Sequence, residues 1–226
     1  MTSAPTFSIA DPVSQRFPDL AVQSFVVKGA RIEAESEQLE GFKDDVLSDF
    51  RSNHDRDDIA DEPLFQAYRA FFWDLDIDPT KIRPAAEALA RRTLQGTPIP
   101  TINTFVDASN LASLTSKVPL AAFDRDLLGE KLRLRFAEEG EPFRGIGMND
   151  STTLGGGELV IDDGDSLIAV YPYRNAADTR LTLDSTDAFV LVCGAPGVSG
   201  SVLDRASEKV QENVTRFCGG SVNDSS

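Results

Sequence analysis

The apolar residues of the chain change their spacing near Pro119, and this change constrains the fold more than any other feature. Before it, apolar side chains recur three and four residues apart, as Leu39, Phe42 and Val46 do, which is the period of an amphipathic helix. After it, apolar segments of strand length follow one another; they cover residues 131–136, 158–162, 166–173, 180–182 and 188–193. Helices first and strands later indicate an α+β fold, since an alternating parallel sheet would mix the two.

The predicted elements describe one main domain with additions at its ends. We expect an early strand over residues 21–29, and helices over residues 35–51, 64–75, 83–94, a segment near Asn103, and 202–217. The prediction is N-terminal helices packed on a mixed or antiparallel sheet or a sandwich-like core, with a closing C-terminal helix. Residues 1–78 are expected to form a strand-and-helix extension packed on the core, residues 79–218 the main domain, and residues 219–226 a disordered tail.

The composition indicates an acidic globular protein that does not enter a membrane. Hydrophobic residues make up 41% of the chain, but no apolar run approaches the ~20 residues that a transmembrane helix needs. The N-terminal sequence lacks the basic and apolar regions of a secretory signal, so we expect a cytoplasmic location. The net charge is −15, and lysine is scarce. Such a surface is typical of salt-adapted proteins, and the alternative is an ordinary acidic protein.

The acidic charge is unevenly distributed along the chain. Between Lys81 and Arg144 there are ten basic and eight acidic residues, so this segment has a net charge of +2. Arg91 and Arg92 end a predicted helix, and three cations alternate with apolar residues on a predicted strand, namely Lys131, Arg133 and Arg135. These five residues are our candidates for contact with an RNA backbone. The alternative is a solvated strand face paired with neighbouring carboxylates.

The segment from Pro98 to Phe143 has an unusual residue order. Asn103, Asp107 and Asn110 are four and three residues apart, so on a helix they would share one polar face. Pro119-Leu-Ala-Ala-Phe-Asp follows. This order resembles the editing domain of the beta subunit of phenylalanyl-tRNA synthetase, the tRNA-binding domain made of its fused third and fourth modules. It is similar above all to the free-standing proteins built from that domain alone, and the resemblance runs from about residue 82 to residue 192.

A second motif places three glycines, Gly155 to Gly157, directly before Glu158 at the start of a strand. Glycines let a main chain approach a ligand closely, and no lysine or helix follows to make a phosphate loop. The resemblance implies that Glu158 recognises the hydroxyl of a mischarged tyrosine and that Gly156 and Gly157 form the pocket wall. A buried carboxylate favours such a ligand, because a plain phenyl ring leaves it without a donor. The alternative is an exposed acid at a strand start.

A third motif combines an aromatic residue, an arginine and an acid. The guanidinium of Arg174 suits a carboxylate or a phosphate, and the ring of Tyr173 suits stacking on an adenine or a side chain. Free-standing relatives in the resembled family carry a similar order. The alternative is a structural ion pair between Arg174 and Asp178.

The chain carries few groups for covalent or metal chemistry. Its single histidine, His54, lies in a polar run, and its two cysteines, Cys193 and Cys218, have no metal-binding spacing. We therefore expect no metal, no cofactor and no Ser/His/Asp set. In the synthetase a histidine follows the Pro-Leu pair and enters the site, whereas Ala121 stands at that place in this chain.

With metal chemistry and a Ser/His/Asp set not expected, the reaction that we consider is ester hydrolysis by water, without a covalent nucleophile. Asn103, Glu158 and Thr182, with main-chain amides, are the candidates for holding the attacking water. The candidates for substrate binding are Asp107, Asn110, Gly156, Gly157, Tyr173 and Arg174. We interpret the chain as a stand-alone aminoacyl-tRNA editing protein whose partner is tRNA or aminoacyl-tRNA. One alternative is a non-catalytic module that binds tRNA or an amino acid, and another is an interaction protein that uses only the fold.

Overall fold

The computed structural model of the protein describes residues 4–224. Its α-helices are α1 (Asp11–Arg16), α2 (Glu37–Asn53), α3 (Pro63–Asp74), α4 (Ala85–Leu94), α5 (Thr104–Ser116) and α6 (Gly200–Cys218). Its strands are β1 (Thr6–Ile9), β2 (Val22–Lys28), β3 (Leu120–Asp124), β4 (Lys131–Phe136), β5 (Pro142–Phe143), β6 (Thr152–Thr153), β7 (Leu159–Asp162), β8 (Leu167–Val170), β9 (Arg174–Asn175), β10 (Ala188–Cys193) and β11 (Ser221–Asp224). The predicted α+β class is confirmed.

The strands form two main sheets and a short ribbon. One sheet has five strands in the order β1-β4-β7-β8-β9, in which β1 and β4 run parallel and the other neighbours antiparallel. The other sheet has four antiparallel strands in the order β11-β2-β10-β3. The ribbon pairs β5 with β6. The sheet part is therefore mixed, as predicted.

The core is built on β10, whose six residues are all buried between β2 and β3. Helix α6 packs on β2 and β10, and α5 packs on α6 and β3. On β4 the side chains alternate as a strand requires, so that Leu132 and Leu134 are fully buried while Lys131 and Arg133 are exposed. Burial of these apolar strand and helix faces provides the main stabilisation of the fold.

A second, smaller apolar cluster lies on the other face of the five-stranded sheet. On β7, Leu159 and Ile161 belong to the main core, whereas Val160 points to the opposite face. There it packs with residues of the ribbon and the loops around it, among them Phe143 and Leu154. The ring of Tyr173 packs against this cluster. The glycine motif thus lies beside a packed region.

The first 78 residues contribute strands to both sheets. β1 hydrogen-bonds along β4, and β2 lies between β10 and β11. The N-terminal part is therefore continuous with the sheets that carry the later residues, and a boundary near residue 78 stays a prediction.

Two local predictions are wrong. Residues 180–182 form no strand, because the N–H of Thr182 donates to the hydroxyl of Ser185 at 2.9 Å and closes a turn. Residues 221–224 are not a disordered tail but form β11 along β2, while residues 225 and 226 of the predicted tail lie outside the described residues. β3, with the short apolar sequence Leu-Ala-Ala-Phe-Asp, was not predicted.

Between residues 4 and 224, the structure contains no helix with the length and apolar character needed to cross a bilayer.

Candidate functional site

A cleft of about 330 Å³ opens where the four-stranded sheet meets the turn between β8 and β9. We call it the β3 cleft. Several separate parts of the chain line it, including Ala121 on β3, Cys193 at the end of β10, Ile146, Ala85 at the start of α4, and residues 169–175. Its volume lies within the range of small-molecule sites, about 300–1,000 Å³.

Two side-chain hydrogen bonds hold the walls of the β3 cleft together. The hydroxyl of Tyr171, which is 1% exposed, donates to the carbonyl of Gly194 at 2.7 Å. The side-chain amide of Asn175 donates to the carbonyl of Ala122 on β3 at 3.3 Å. The β8–β9 turn is therefore fixed against both β10 and β3.

Arg174 lies exposed at the cleft and has no acidic partner among residues 4–224. Its Nη1 donates to the carbonyl of Ile146 at 3.4 Å. Its stem lies on Gly145, where a Cβ would collide with the Arg174 side chain. The alternative pair with Asp178 is not formed, because Asp178 bonds to Arg144 instead. The guanidinium is thus positioned by its stem and remains available for an anionic group of a ligand.

Glu158 does not line the β3 cleft. Its Oε1 accepts the N–H of Gly155 at 2.9 Å, and its Oε2 is buried with no donor within the described part of the chain. Burial raises the pKa of Tyr173, Arg174 lowers it, and the charge of Glu158 raises it further. Arg174 and Glu158 therefore act in opposite directions on the pKa of Tyr173, and one oxygen of the Glu158 carboxylate lacks a donor among the described residues.

Gly156 and Gly157 are exposed and are not part of the lining of the β3 cleft. Both have φ near +90°, a conformation that other residues rarely adopt. At Gly156 an added Cβ would lie 3.0 Å from the backbone nitrogen of Glu139. Turn geometry alone accounts for glycine at these two positions.

Asn103, Asp107 and Asn110 do not converge on one site. Asn103 precedes α5, and its side-chain oxygen accepts the N–H of Val106 at 2.9 Å as a helix cap. Asp107 is 2% exposed and accepts the N–H of Ile102 at 3.1 Å. Asn110 lines a different cleft, described below. The expected shared polar face is wrong for Asn103, because the residue is outside the helix.

Burial of Asp107 raises the pKa of its carboxyl, although the Ile102 N–H and the charge of Lys43 lower it in part. Lys43 is itself 5% exposed and donates to Thr101 at 3.1 Å. This polar group organises the junction of α2 and α5.

Thr182 lies in the turn that replaces the predicted strand. Its hydroxyl is 3.3 Å from the hydroxyl of Ser185, which donates in turn to the carboxylate of Asp124. Thr182 is not part of the β3-cleft lining. The arrangement closes a loop beside β3.

The basic strand face of β4 is only partly available. Lys131 and Arg133 are exposed, as predicted, but Arg135 donates to Glu141 at 2.6 Å and to Asp162 at 2.5 Å. The hydrogen bonds that Arg135 donates to Glu141 and Asp162 raise its pKa. The alternative interpretation, a strand cation paired with carboxylates, thus describes Arg135.

Arg91 and Arg92 lie on the last turn of α4. Nε of Arg91 donates to Glu87 at 2.7 Å, and Nε of Arg92 donates to the carbonyl of Pro98 at 2.5 Å. Both side chains line the same cleft as Asn110.

Of the twelve residues that line the β3 cleft, only Tyr173 and Arg174 were predicted as site residues, and Ile146, Asn175 and Cys193 are among those that were not. Burial raises the pKa of the Cys193 thiol to about 12, so the thiol stays protonated near neutral pH. Asn175 follows Arg174 directly, and only the pairing of β8 with β9 and the bond to β3 bring it to the cleft. Within residues 4–224, no group of three or more His, Cys, Asp or Glu side chains could hold a metal ion.

The fold and cleft define an α+β domain with an open site between its two main sheets. Residues 67–218 match the B3/4 domain, and the chain belongs to that family. A solved structure with a similar fold is an N-terminal fragment of the phenylalanyl-tRNA synthetase beta-subunit from Pyrococcus horikoshii, with a TM-score of 0.54 and 12% sequence identity. The match covers 98% of this chain and 52% of that fragment, so the chain spans about half its length. A search of curated proteins finds no match.

Proposed function

We propose that this protein hydrolyses the ester bond of a mischarged aminoacyl-tRNA, with the amino acid bound in the β3 cleft. The observation that carries the proposal is the position of Arg174, a cation without an acidic partner among residues 4–224, at the edge of this cleft. Membership of the B3/4 family, whose fold this chain shares with a synthetase beta-subunit fragment, supports a tRNA-linked substrate.

Arg174 would bind the phosphate of the terminal nucleotide. An aminoacyl ester has no free carboxylate, so the nearest anionic group of the substrate is that phosphate. Arginine presents several N–H donors in a planar fork that matches phosphate geometry. The nearby ring of Tyr173 could stack on the terminal base.

The reaction needs a positioned water and no covalent nucleophile. The water oxygen bonds to the ester carbonyl carbon, the bond from that carbon to the ribose oxygen breaks, and a proton passes to the ribose oxygen. Cys193 remains a thiol, and His54 stacks on Phe50, so neither supplies a nucleophile. The side-chain oxygen of Asn175 accepts no hydrogen bond from the described residues and is therefore free to hold the water. Positioning alone lowers the activation barrier of such a reaction by at best about 7–11 kcal/mol.

Glu158 is proposed to influence the choice of amino acid indirectly, through Tyr173, because Tyr173 lines the β3 cleft and Glu158 does not. Its buried Oε2 has no donor in the described chain, and leaving such an oxygen unpaired costs on the order of 1–3 kcal/mol. Asn103 and Thr182 bond to local main chain or to Ser185, so we give neither a part in the reaction.

The second candidate function is binding without catalysis. Ala121 lines the β3 cleft at the place where the resembled synthetase domain has a histidine. If the reaction requires an imidazole there, the cleft binds an aminoacyl-tRNA or an amino acid but does not hydrolyse the ester.

A panel of aminoacyl-tRNAs, correctly and wrongly charged, distinguishes the two functions. We expect the purified protein to deacylate at least one of them faster than buffer does, and Glu158→Ala to change which amino acid is removed. Glu208→Ala, an exposed acid on α6, is the matched control and should leave the preference unchanged. If no member of the panel is hydrolysed faster than in buffer, hydrolysis is contradicted and the binding function stands.

A further inference from the structure

A second cleft, of about 450 Å³, lies against α4. We call it the arginine cleft, because three of its lining residues are Arg83, Arg91 and Arg92. Other polar side chains in the lining are Gln95, Thr97 and Asn110. No acidic residue lines it, which is unusual for a chain whose net charge is −15.

The three arginines retain positive charge toward this cleft. Arg83 is exposed and forms no ion pair with the residues that the structure describes. Arg92 is exposed and uses only its Nε, on the carbonyl of Pro98. Arg91 shares the buried carboxylate of Glu87 with Arg69, so two cations face one acid. The arginine cleft therefore offers several N–H donors to an anion. Among residues 4–224, none of its three arginines has a carboxylate of its own to neutralise it.

The two clefts adjoin each other. Ala85, at the start of α4, lines both the β3 cleft and the arginine cleft. A ligand that lies in both would have one end among the residues around Arg174 and a negatively charged continuation along α4. A chain of phosphodiesters that ends in an aminoacyl group has this distribution of charge.

We infer that the arginine cleft binds phosphates of the single-stranded 3′ end of an RNA whose terminal aminoacyl group lies in the β3 cleft. This inference rests on the proposed function, since that function places the aminoacyl group. A cleft of this volume accepts nucleotides but is too small for a duplex. The positive face of β4 is the competing location, but Arg135 there is bonded to two carboxylates.

The test compares two variants that remove the same charge. One is Arg83→Gln with Arg92→Gln, and the other is Lys131→Gln with Arg133→Gln on β4. All four residues are exposed, and circular dichroism verifies that both variants fold. The probe is a short, labelled single-stranded RNA without an amino acid, measured by fluorescence anisotropy at several salt concentrations. A duplex of the same sequence and inorganic triphosphate are the comparison ligands.

We expect the arginine-cleft variant to lose about tenfold or more in affinity at low salt. Its salt dependence should fall by about 1.4 in log–log slope, because each phosphate contact to a single strand contributes about 0.7. The β4 variant should bind like wild type, and the duplex and triphosphate should bind more weakly than the single strand. Equal losses in both variants, no loss in the first, or tighter binding of the duplex would overturn the inference.

Because the RNA in this measurement carries no amino acid, the result is independent of ester hydrolysis. A protein that binds the RNA through the arginine cleft but deacylates nothing contradicts the hydrolase proposal alone. A protein that deacylates but binds RNA through β4 contradicts this inference alone.

Discussion

At the scale of single residues, polar side chains that look alike in the sequence have different roles in the structure. Asn103 and Asp107 accept main-chain N–H groups around the start of α5, whereas Arg174 and Asn175 face an open cleft. Sequence spacing does not separate these roles, because a helix cap and a binding residue are chosen from the same polar types.

Asp107 gives a pH-dependent prediction. Its carboxyl has a raised pKa in the folded protein because it is buried, so the folded state holds this proton more tightly than the unfolded state. The linkage relation then makes this contribution to the free energy of unfolding fall as pH rises from the unfolded pKa, about 3.9, through the folded value. Asp107→Asn should therefore flatten the decline in stability above pH 4.

Urea unfolding at several pH values measures this effect, with the exposed Asp44→Asn on α2 as the matched control. An Asp107→Asn protein whose stability changes with pH as steeply as wild type would show that burial of Asp107 does not disfavour its charge.

Only a small part of the β3 cleft could be predicted from the sequence. The sequence motifs name Tyr173 and Arg174, which line the cleft, and Glu158, which lies outside the lining. Asn175 was missed because its place in the cleft depends on the bond to Ala122, a contact between residues 53 positions apart. No local sequence pattern predicts a contact between residues so far apart in the chain.

At the scale of elements, the β8–β9 turn is the part that shapes the site. It is attached to the end of β10 by the hydrogen bond from Tyr171 to Gly194. A comparable bond runs from Tyr68 on α3 to the carbonyl of Cys193 at 2.7 Å. The two tyrosines therefore make equivalent bonds to adjacent carbonyls, but only Tyr171 belongs to the turn.

Tyr171→Phe and Tyr68→Phe should each lower the free energy of unfolding by about 1–2 kcal/mol, since each leaves a buried carbonyl without its donor. Only Tyr171→Phe should also slow deacylation, because it loosens the turn that carries Arg174. Urea unfolding and the deacylation rate measure the two effects. Equal deacylation by both variants would show that this bond does not position the cleft.

The type of an element could be predicted where its apolar pattern extends over many residues. α2, α3, α4 and α6 carry apolar side chains at helical spacing, and β10 is a continuous apolar run. β3 has five residues and two alanines, so its strand character arises from pairing with β10. β11 depends in the same way on β2.

At the scale of the whole molecule, the two sheets draw on distant parts of the chain. β1 and β2 pair with strands from the second half of the sequence. The α+β class could be predicted from the order of helical and strand-like apolar spacing along the chain. The pairing of β1 and β2 with later strands could not be predicted, because strand pairing is set by tertiary packing. The β3 cleft exists only where the two sheets meet, so its lining is also a property of the whole fold.

The proposed binding of the substrate by Arg174 at the β3 cleft can be tested by kinetics. Its most direct test is the single-turnover deacylation rate of wild type, Arg174→Gln and Arg180→Gln on the best substrate of the panel. Arg180 is exposed and lies outside the cleft lining, so its variant is the matched control. We expect Arg174→Gln to lose about tenfold or more, the value of one charge-assisted hydrogen bond, and Arg180→Gln to equal wild type. An Arg174→Gln protein as fast as wild type, or a wild type no faster than buffer, would contradict this proposal.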